Sequence, residues 1–370
     1  MIILLSAGTA TTALPKTAGC SGFSYTCHNH YTNTCASPQG ECRNPRDSTV
    51  AETTMQRIAS IDIGSQTIRL LIADCDAETL YPLERDREIV RLGAGMQAAS
   101  LLQPDRIEHA AACIHRFCGR ARTQGAGIIL AVATACVRQA RNRQAFLDSV
   151  QQICGLVPEV IDGRREALLA SAGVQAAIAC TSEASVIIDI GGGSTEISFM
   201  ASGSFQNSLS LPLGVIAPTE IFLRADPPSP TDSAAMRSWI QKQLACLPAD
   251  TGQPSCRPAT VLIATAGTAT TLAAMDLGLD IYLPARINGH ILTQTSISRL
   301  FDDMIAKPLH LRCQLPGLEP GRAAVIIPGC LILQHLMQYF GTDTCTVSDA
   351  GLLEGSIIEH AALKKIIEKT

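Results

Sequence analysis

One short pattern occurs twice in this chain: an apolar strand ending in Asp-x-Gly, a bend of small residues, and a second apolar strand. IASIDIGSQTIRLLI carries it first and SVIIDIGGGSTEISFM second. Asp62 and Asp189 end the leading strands, and Gly64 and Gly191 follow two residues later, the copies lying about 127 positions apart. A repeat of this kind predicts two related halves facing one cleft. Strands alternate with helices through the rest of the chain, so the class is α/β.

The helices are legible from apolar spacing. PDRIEHAAACIHRFCGRA places Ile107, Ala111, Ile114 and Cys118 on one helical face after Pro104 at the helix start. GIILAVATA reads as a buried strand, RNRQAFLDSVQQICG as a helix ending near Gly155, VPEVID as a strand and RREALLASAGVQAAI as a helix. A third glycine turn lies in VLIATAGTATTLAAM, where a strand runs through Gly267 into a helix expected to be capped by Thr268. DPPSPTDS and PADTGQPSCRP read as loops flanking the helix that contains Trp239. The predicted units are an unstructured leader at 1–55, an N-terminal half at 56–183 and a C-terminal half at 184–354. A final amphipathic helix, about 355–370 with Lys364, Lys365 and Lys369 in its last turns, is expected to pack back on the N-terminal half.

Composition excludes several classes. With 29 basic and 33 acidic side chains there is no basic field for nucleic acid. No apolar run reaches the roughly 18 residues of a membrane helix. The opening MIILLSAGTATTAL has no basic segment before it and no convincing cleavage site after it, so a cytoplasmic protein is expected. Fifteen cysteines are scattered without C-x-x-C spacing, which reads as reduced, buried thiols. Cys20, Cys27, Cys35 and Cys42 lie in the leader with His28 and His30, in a spacing that fits no common zinc pattern. Translation starting at Met55 is an alternative account of that segment.

Glycine bends are where backbone N–H groups can converge on an anion. Gly64 and Ser65 in the first bend, Gly191, Gly192, Gly193 and Ser194 in the second, and Gly267 with Thr268 in the third are the candidate phosphate ligands. No Lys follows the glycines, so this is not a Walker loop, and a strand rather than a helix follows each Asp-x-Gly bend, so it is not a dinucleotide fingerprint. Asp62 and Asp189 beside such bends would repel phosphate unless they hold Mg²⁺, with Glu196 sharing that work; simple turn chemistry is the plain alternative. Glu166 stands in the first turn of a helix, where acids are also favoured for dipole reasons. Arg138, Arg164 and Arg165 can neutralise phosphate oxygens or lie on a solvated surface.

The segments IDIGSQTIRLLIAD, REIVRLGAGM, AVATACVRQARNRQAFL, EVIDGRREALLASAGV, VIIDIGGGSTEISF, LPLGVIAPTE, ATAGTATTLAAM, INGHILT, LPGLEPGRAAVIIPG and VSDAGLLEGSIIE resemble, in order, the motifs of the Ppx/GppA phosphatase family. The match runs over roughly residues 57–360. The resemblance implies a two-lobed actin-like ATPase (ribonuclease H-like) fold, in the short form without a C-terminal helical domain. It implies Mg²⁺-dependent release of the terminal phosphate from inorganic polyphosphate or guanosine pentaphosphate, with Glu166 as the general base on water. Three positions depart from the family pattern: Arg165 replaces a glutamate, and Gln66 and Thr67 replace Asn and Ser. A homodimer enters only through the resemblance.

Two rivals remain. An actin-like small-molecule kinase shares the phosphate bends but holds adenosine at a late double-glycine turn, where this chain has Gly329 alone after Pro328. A non-enzymatic nucleotide sensor on the same fold has no need of Glu166.

Overall fold

Alternation within the paired strands sets the first layer. In one strand Ala59, Ile61 and Ile63 pack to one side while Ile58 packs to the other; in its neighbour Ile68, Leu70 and Ile72 oppose Leu71 and Ala73. Both faces are therefore apolar, and each must be covered by helices. The computed structural model describes residues 24–25, 55–76, 79–96, 99–178, 182–245, 247 and 261–367. The leader cysteines and histidines, the 248–258 loop and the last lysine side chains lie outside the described residues. Within the segment read as a leader only Ser24–Tyr25 and Met55 are placed.

The first half runs β1 (Ser24–Tyr25), β2 (Gln56–Ile63), β3 (Ile68–Cys75), β4 (Thr79–Glu88), α1 (Pro104–Thr123), β5 (Ile128–Ala133), α2 (Ala135–Gln139), α3 (Arg143–Cys154), β6 (Glu159–Val160) and α4 (Gly163–Ala177). The second runs β7 (Ala184–Ile190), β8 (Thr195–Ala201), β9 (Ser204–Leu211), α5 (Ile216–Phe222), α6 (Pro230–Leu244), β10 (Val261–Thr265), α7 (Ala266–Asp276), α8 (Pro284–Ile287), β11 (Ile291–Thr293), α9 (Gln294–Ile305), α10 (Leu309–Arg312), α11 (Ile326–Tyr339), β12 (Thr344–Val347) and α12 (Leu352–Ile367). The sheet orders are β1-β4-β3-β2-β5-β6 and β11-β12-β10-β7-β8-β9. Stripped of the edge strands β1 and β11, the two sheets have one topology. A leading strand pairs antiparallel with the next strand and parallel with the strand after the helix.

Two helices cross between the halves. α4 follows the first sheet in sequence yet packs on β8 and β9, and α12 packs on β2 and β3 as well as on α4. The α4–α12 contact is backbone-close. A Cβ on Gly355 would lie 1.8 Å from the Leu169 carbonyl oxygen, and one on Gly173 would lie 1.9 Å from that of Gly351. Separate cores fill each half, around Ile114, Phe117 and Phe146 in the first and Leu272, Leu331 and Met337 in the second.

Local readings differ in several places. DPPSPTDS is a loop only as far as Ser229, since α6 starts at Pro230 with the Ser229 hydroxyl capping Asp232 N–H. β4 and β9 are strands that their charged or polar sequences hide. Among the described residues no helix is long and apolar enough to cross a membrane, and the eight described cysteines are free thiols, all but Cys313 buried.

Candidate active site

The two Asp-x-Gly bends touch. A Cβ on Gly192 would lie 2.9 Å from the Ser65 Cβ and 3.0 Å from the Gln66 backbone nitrogen. Each bend is latched by a later segment. Gly93 N–H donates to the Ser65 carbonyl at 2.8 Å and Arg91 N–H to that of Gln66 at 3.0 Å. In the second half Val215 N–H donates to the Gly191 carbonyl at 3.1 Å and Ile216 N–H to that of Gly192 at 2.9 Å. The RLGAGM and LPLGVI segments are thus braces that hold the bends face to face.

Between the bends lies a pocket of about 70 Å³, room for several waters or one tetrahedral anion. Asp62, Gly64, Ser65, Glu166, Asp189, Gly191, Gly192, Gly193, Ser194, Gly267 and Thr268 all line it. Gln66 lines it too, and its buried Nε2 has no hydrogen-bond partner among the described residues. An orphaned buried donor is costly unless a ligand supplies the acceptor. The third turn is the joint between β10 and α7. Ala266 takes a left-handed φ of 64° there, a strained value for a residue with a Cβ. Thr268 does not cap the helix as expected: its hydroxyl donates to the Ile190 carbonyl at 3.2 Å, tying α7 to the end of β7.

Glu166 sits in the first turn of α4, whose N-cap Asp162 accepts from Arg165 N–H at 2.7 Å. Its Oε2 accepts from Arg138 at 2.9 Å, and Arg138 also donates to the Ile161 carbonyl at 2.9 Å. Burial lifts the Glu166 pKa well above the ordinary carboxylate range, with Glu196 and Asp189 adding to the rise and Arg138 opposing it. Asp189 is raised to about 6 by burial, with Arg69 opposing the rise and Asp62 adding to it. Glu196 is raised to about 7, again by burial first and then by Asp189.

Three expectations are corrected. Arg138 does not line the pocket, because its guanidinium is spent on Glu166 and lies 3.9 Å from Glu196. Glu196 is also outside the pocket wall and accepts from the Ser210 hydroxyl at 2.7 Å. Arg164 and Arg165 turn away, one over the Phe205 ring at 5.6 Å and the other to Glu359 on α12. Two arginines missed in the sequence take the positions at the pocket. Arg69 pairs with Asp62 at 2.5 Å. Arg322 lies so close over Gly267 that a Cβ there would sit 2.1 Å from its Nη1. The seven-residue step from Asp62 to Arg69 was the available signal, once β2 and β3 are taken as a hairpin. Arg322 carried no spacing signal and stood only within the segment LPGLEPGRAAVIIPG.

The donor set suits Mg²⁺ in one form. Among the described residues no three His, Cys, Asp or Glu side chains cluster in a metal-holding arrangement. Two aspartates share one small pocket, and Asp62 raises Asp189. Mg²⁺ commonly takes one or two carboxylates and completes its shell with water and phosphate oxygens. The kinase-like glycine, Gly329, is a packing residue: a Cβ there would lie 2.6 Å from Thr268 Cγ2.

Two mixed sheets of one topology, with matching bends closing on a small pocket between them, define the actin-like ATPase fold. Residues 71–364 match the Ppx/GppA phosphatase family, and the chain belongs to that family. Exopolyphosphatase 2 of Mycobacterium tuberculosis is 30% identical, over 83% of this chain and 99% of that protein. The crystal structure of the Aquifex aeolicus Ppx/GppA family member is 31% identical with a TM-score of 0.70, over 84% of this chain and 99% of that one. An exopolyphosphatase from Cytophaga hutchinsonii is 26% identical with a TM-score of 0.76, over 83% and 98%.

Proposed function

We propose that this phosphatase hydrolyses the terminal phosphoanhydride of a linear polyphosphate chain, free or carried on a guanosine nucleotide. The observation that carries the reading is the position of Glu166: one carboxylate oxygen is held by Arg138, and the residue lines the pocket that both Asp-x-Gly bends line. Membership of a family whose named relatives include exopolyphosphatases supports the substrate class.

In this reading the terminal phosphoryl group occupies the pocket. The Gln66 amide and the backbone N–H groups of the bends, other than those of Gly64 and Gly191, which donate to the Thr67 and Ser194 carbonyls, donate to its non-bridging oxygens, with Arg322 beside them. Glu166 orients a water and takes its proton as the water oxygen bonds to phosphorus and the bridging P–O bond breaks. The electron pair of that bond leaves with the shortened chain, and inorganic phosphate is the other product. Positioning and charge stabilisation do most of the work in phosphoryl transfer. Asp189 and Asp62 would hold Mg²⁺, with Glu196 behind them; when bound, the ion screens charge on the phosphate oxygens. Arg138 restrains the base.

The test is phosphate release from short-chain polyphosphate, long-chain polyphosphate and guanosine pentaphosphate, each with and without Mg²⁺. Release from at least one is expected, and magnesium-dependent. No release from any of the three would remove the hydrolase reading. The same panel separates the two carriers.

A further inference from the structure

One face of α1 closes over the end of α3. Ala111, His115, Cys118 and Arg122 recur at four- and three-residue steps along α1, so they share that face. Cys154, the last residue of α3, meets it. Its sulfur lies 3.9 Å from the Ala111 carbonyl oxygen, and its own carbonyl accepts from Arg122 Nη2 at 3.1 Å. His115 Nδ1–H donates to the neighbouring Ile153 carbonyl, also at 3.1 Å. Cys118 stands between His115 and Arg122 on that face, and its thiol hydrogen-bonds the Cys154 sulfur. Two thiols distant in sequence therefore touch across a helix–helix seam. The seam is shallow. Both cysteines are buried, yet His115, Gly119, Arg122 and Gly155 around them are exposed, and Ile153 is 44% exposed. A Cβ on Gly155 would meet nothing within 4 Å, so the end of α3 opens to solvent.

We propose that Cys118 and Cys154 form a redox-active dithiol, a modification site at which a hydroperoxide converts the pair to a disulfide linking α1 to α3. The site lies apart from the phosphate pocket and does not depend on the phosphatase reading. The Cys118 hydrogen bond pulls the Cys154 pKa down to about 7 against burial, with His115 and Arg122 adding to the fall. The same bond, together with burial, pushes that of Cys118 up. Cys154 is therefore the nucleophile and Cys118 the resolving thiol. The Cys154 thiolate attacks one peroxide oxygen: the S–O bond forms, the O–O bond breaks, and the leaving oxygen departs with the proton that Cys154 released. The Cys118 sulfur then attacks the sulfenic acid: the S–S bond forms, the S–O bond breaks, and hydroxide leaves as water with the Cys118 proton. The two thiols lose two electrons in all, and the peroxide gains them.

The test is a time course of the reduced full chain in hydrogen peroxide, quenched by alkylation in denaturant and mapped by peptide mass spectrometry. A linked Cys118–Cys154 peptide is expected to form at least about tenfold faster than Cys136 or Cys330 leaves the alkylated pool, since burial pushes both of those thiols up. Dithiothreitol is expected to return the pair to thiols. In Cys118→Ser, Cys154 is expected to stop at the sulfenic acid, captured by dimedone. In Cys154→Ser, Cys118 is expected to stay alkylatable through the same exposure. Absence of the linked peptide in the wild type overturns the proposal, and so does its appearance only as fast as Cys136 and Cys330 oxidise. A folded Cys118→Ser that takes no dimedone at Cys154 overturns it as well. The wild-type time course needs no substitution, so it decides the matter even where a variant fails to fold.

Discussion

Arg69 and Glu196 hold the same place in the two halves: each lies directly across an antiparallel ladder from the aspartate that ends the leading strand, Arg69 from Asp62 and Glu196 from Asp189. The repeat is structural, but its charge is not repeated. In the first half the cross-strand partner neutralises the aspartate. In the second it adds a carboxylate, and burial then lifts both pKa values. One half of the cleft is electrically settled, and the other is left short of positive charge. That asymmetry adds to burial in lifting the Glu166 pKa, since Glu196 and Asp189 are the charges that raise it.

Glu166→Gln tests the base directly. The amide keeps the volume and one oxygen for Arg138, so the fold and the unfolding midpoint are expected to hold. Turnover is expected to fall by about 10²–10⁴-fold, measured as steady-state phosphate release. Activity within a few-fold of wild type would take Glu166 out of the reaction.

The pH–rate profile carries the second prediction. A base works deprotonated, so activity rises as pH climbs through its pKa, which here lies well above the ordinary carboxylate range. Glu196→Gln removes the first of the charges that lift Glu166 and is expected to move the acid limb of kcat/KM to lower pH. Arg138→Met removes the group that opposes the lift and is expected to move it higher. Limbs that stay put in both variants would mean that another group governs the profile.

Much of this was legible in the sequence, and what was not has a common cause. The Asp-x-Gly bends, α1 and α7 are written in local patterns: β-branched runs, a glycine at a fixed offset, apolar residues every third or fourth place. β4 was hidden because TLYPLERDRE mixes Pro82 with charges and shifts register opposite Ile72/Ala73. The roles of Arg138, Arg69 and Arg322 depend on pairings across many residues, which composition and spacing do not encode. Arg164 and Arg165 looked like phosphate ligands because they adjoin Glu166 in sequence, yet successive residues on a helix point to different sides.

Asp189→Asn separates metal binding from folding. The pKa of Asp189 rises on folding from 3.8 to about 6. The stability this group contributes is complete below pH 3.8 and lost as pH rises through about 6. Metal-free protein at pH 8 therefore carries a buried, disfavoured carboxylate. Asp189→Asn is expected to stabilise it there by roughly 1–3 kcal/mol, with a smaller effect at pH 4. Mg²⁺ is expected to raise the unfolding midpoint of the wild type at pH 8 and to do little for the variant. An undiminished magnesium response in Asp189→Asn would place the ion elsewhere.

One glycine at the α4–α12 contact and one on the exposed face of α1 give predictions of opposite sign. Gly355 of α12 meets α4 backbone: its added Cβ would lie 1.8 Å from the Leu169 carbonyl oxygen, and no side chain stands there to move aside. Gly355→Ala must push the two helices apart, at a cost of about 1–3 kcal/mol or more. Because α4 begins with the turn that carries Glu166, the same shift moves the base within its pocket, so turnover is expected to fall further than stability alone explains. Gly119 in α1 is exposed, and a Cβ there meets nothing within 4 Å. Gly119→Ala lowers the backbone entropy of the unfolded chain without a clash and is expected to stabilise by about 0.4–1 kcal/mol with turnover unchanged. Denaturant unfolding of both variants, read beside phosphate release under native conditions, checks the pair. If Gly355→Ala leaves both quantities at wild-type values, the helices do not hold the spacing described, and the placement of Glu166 loses its support.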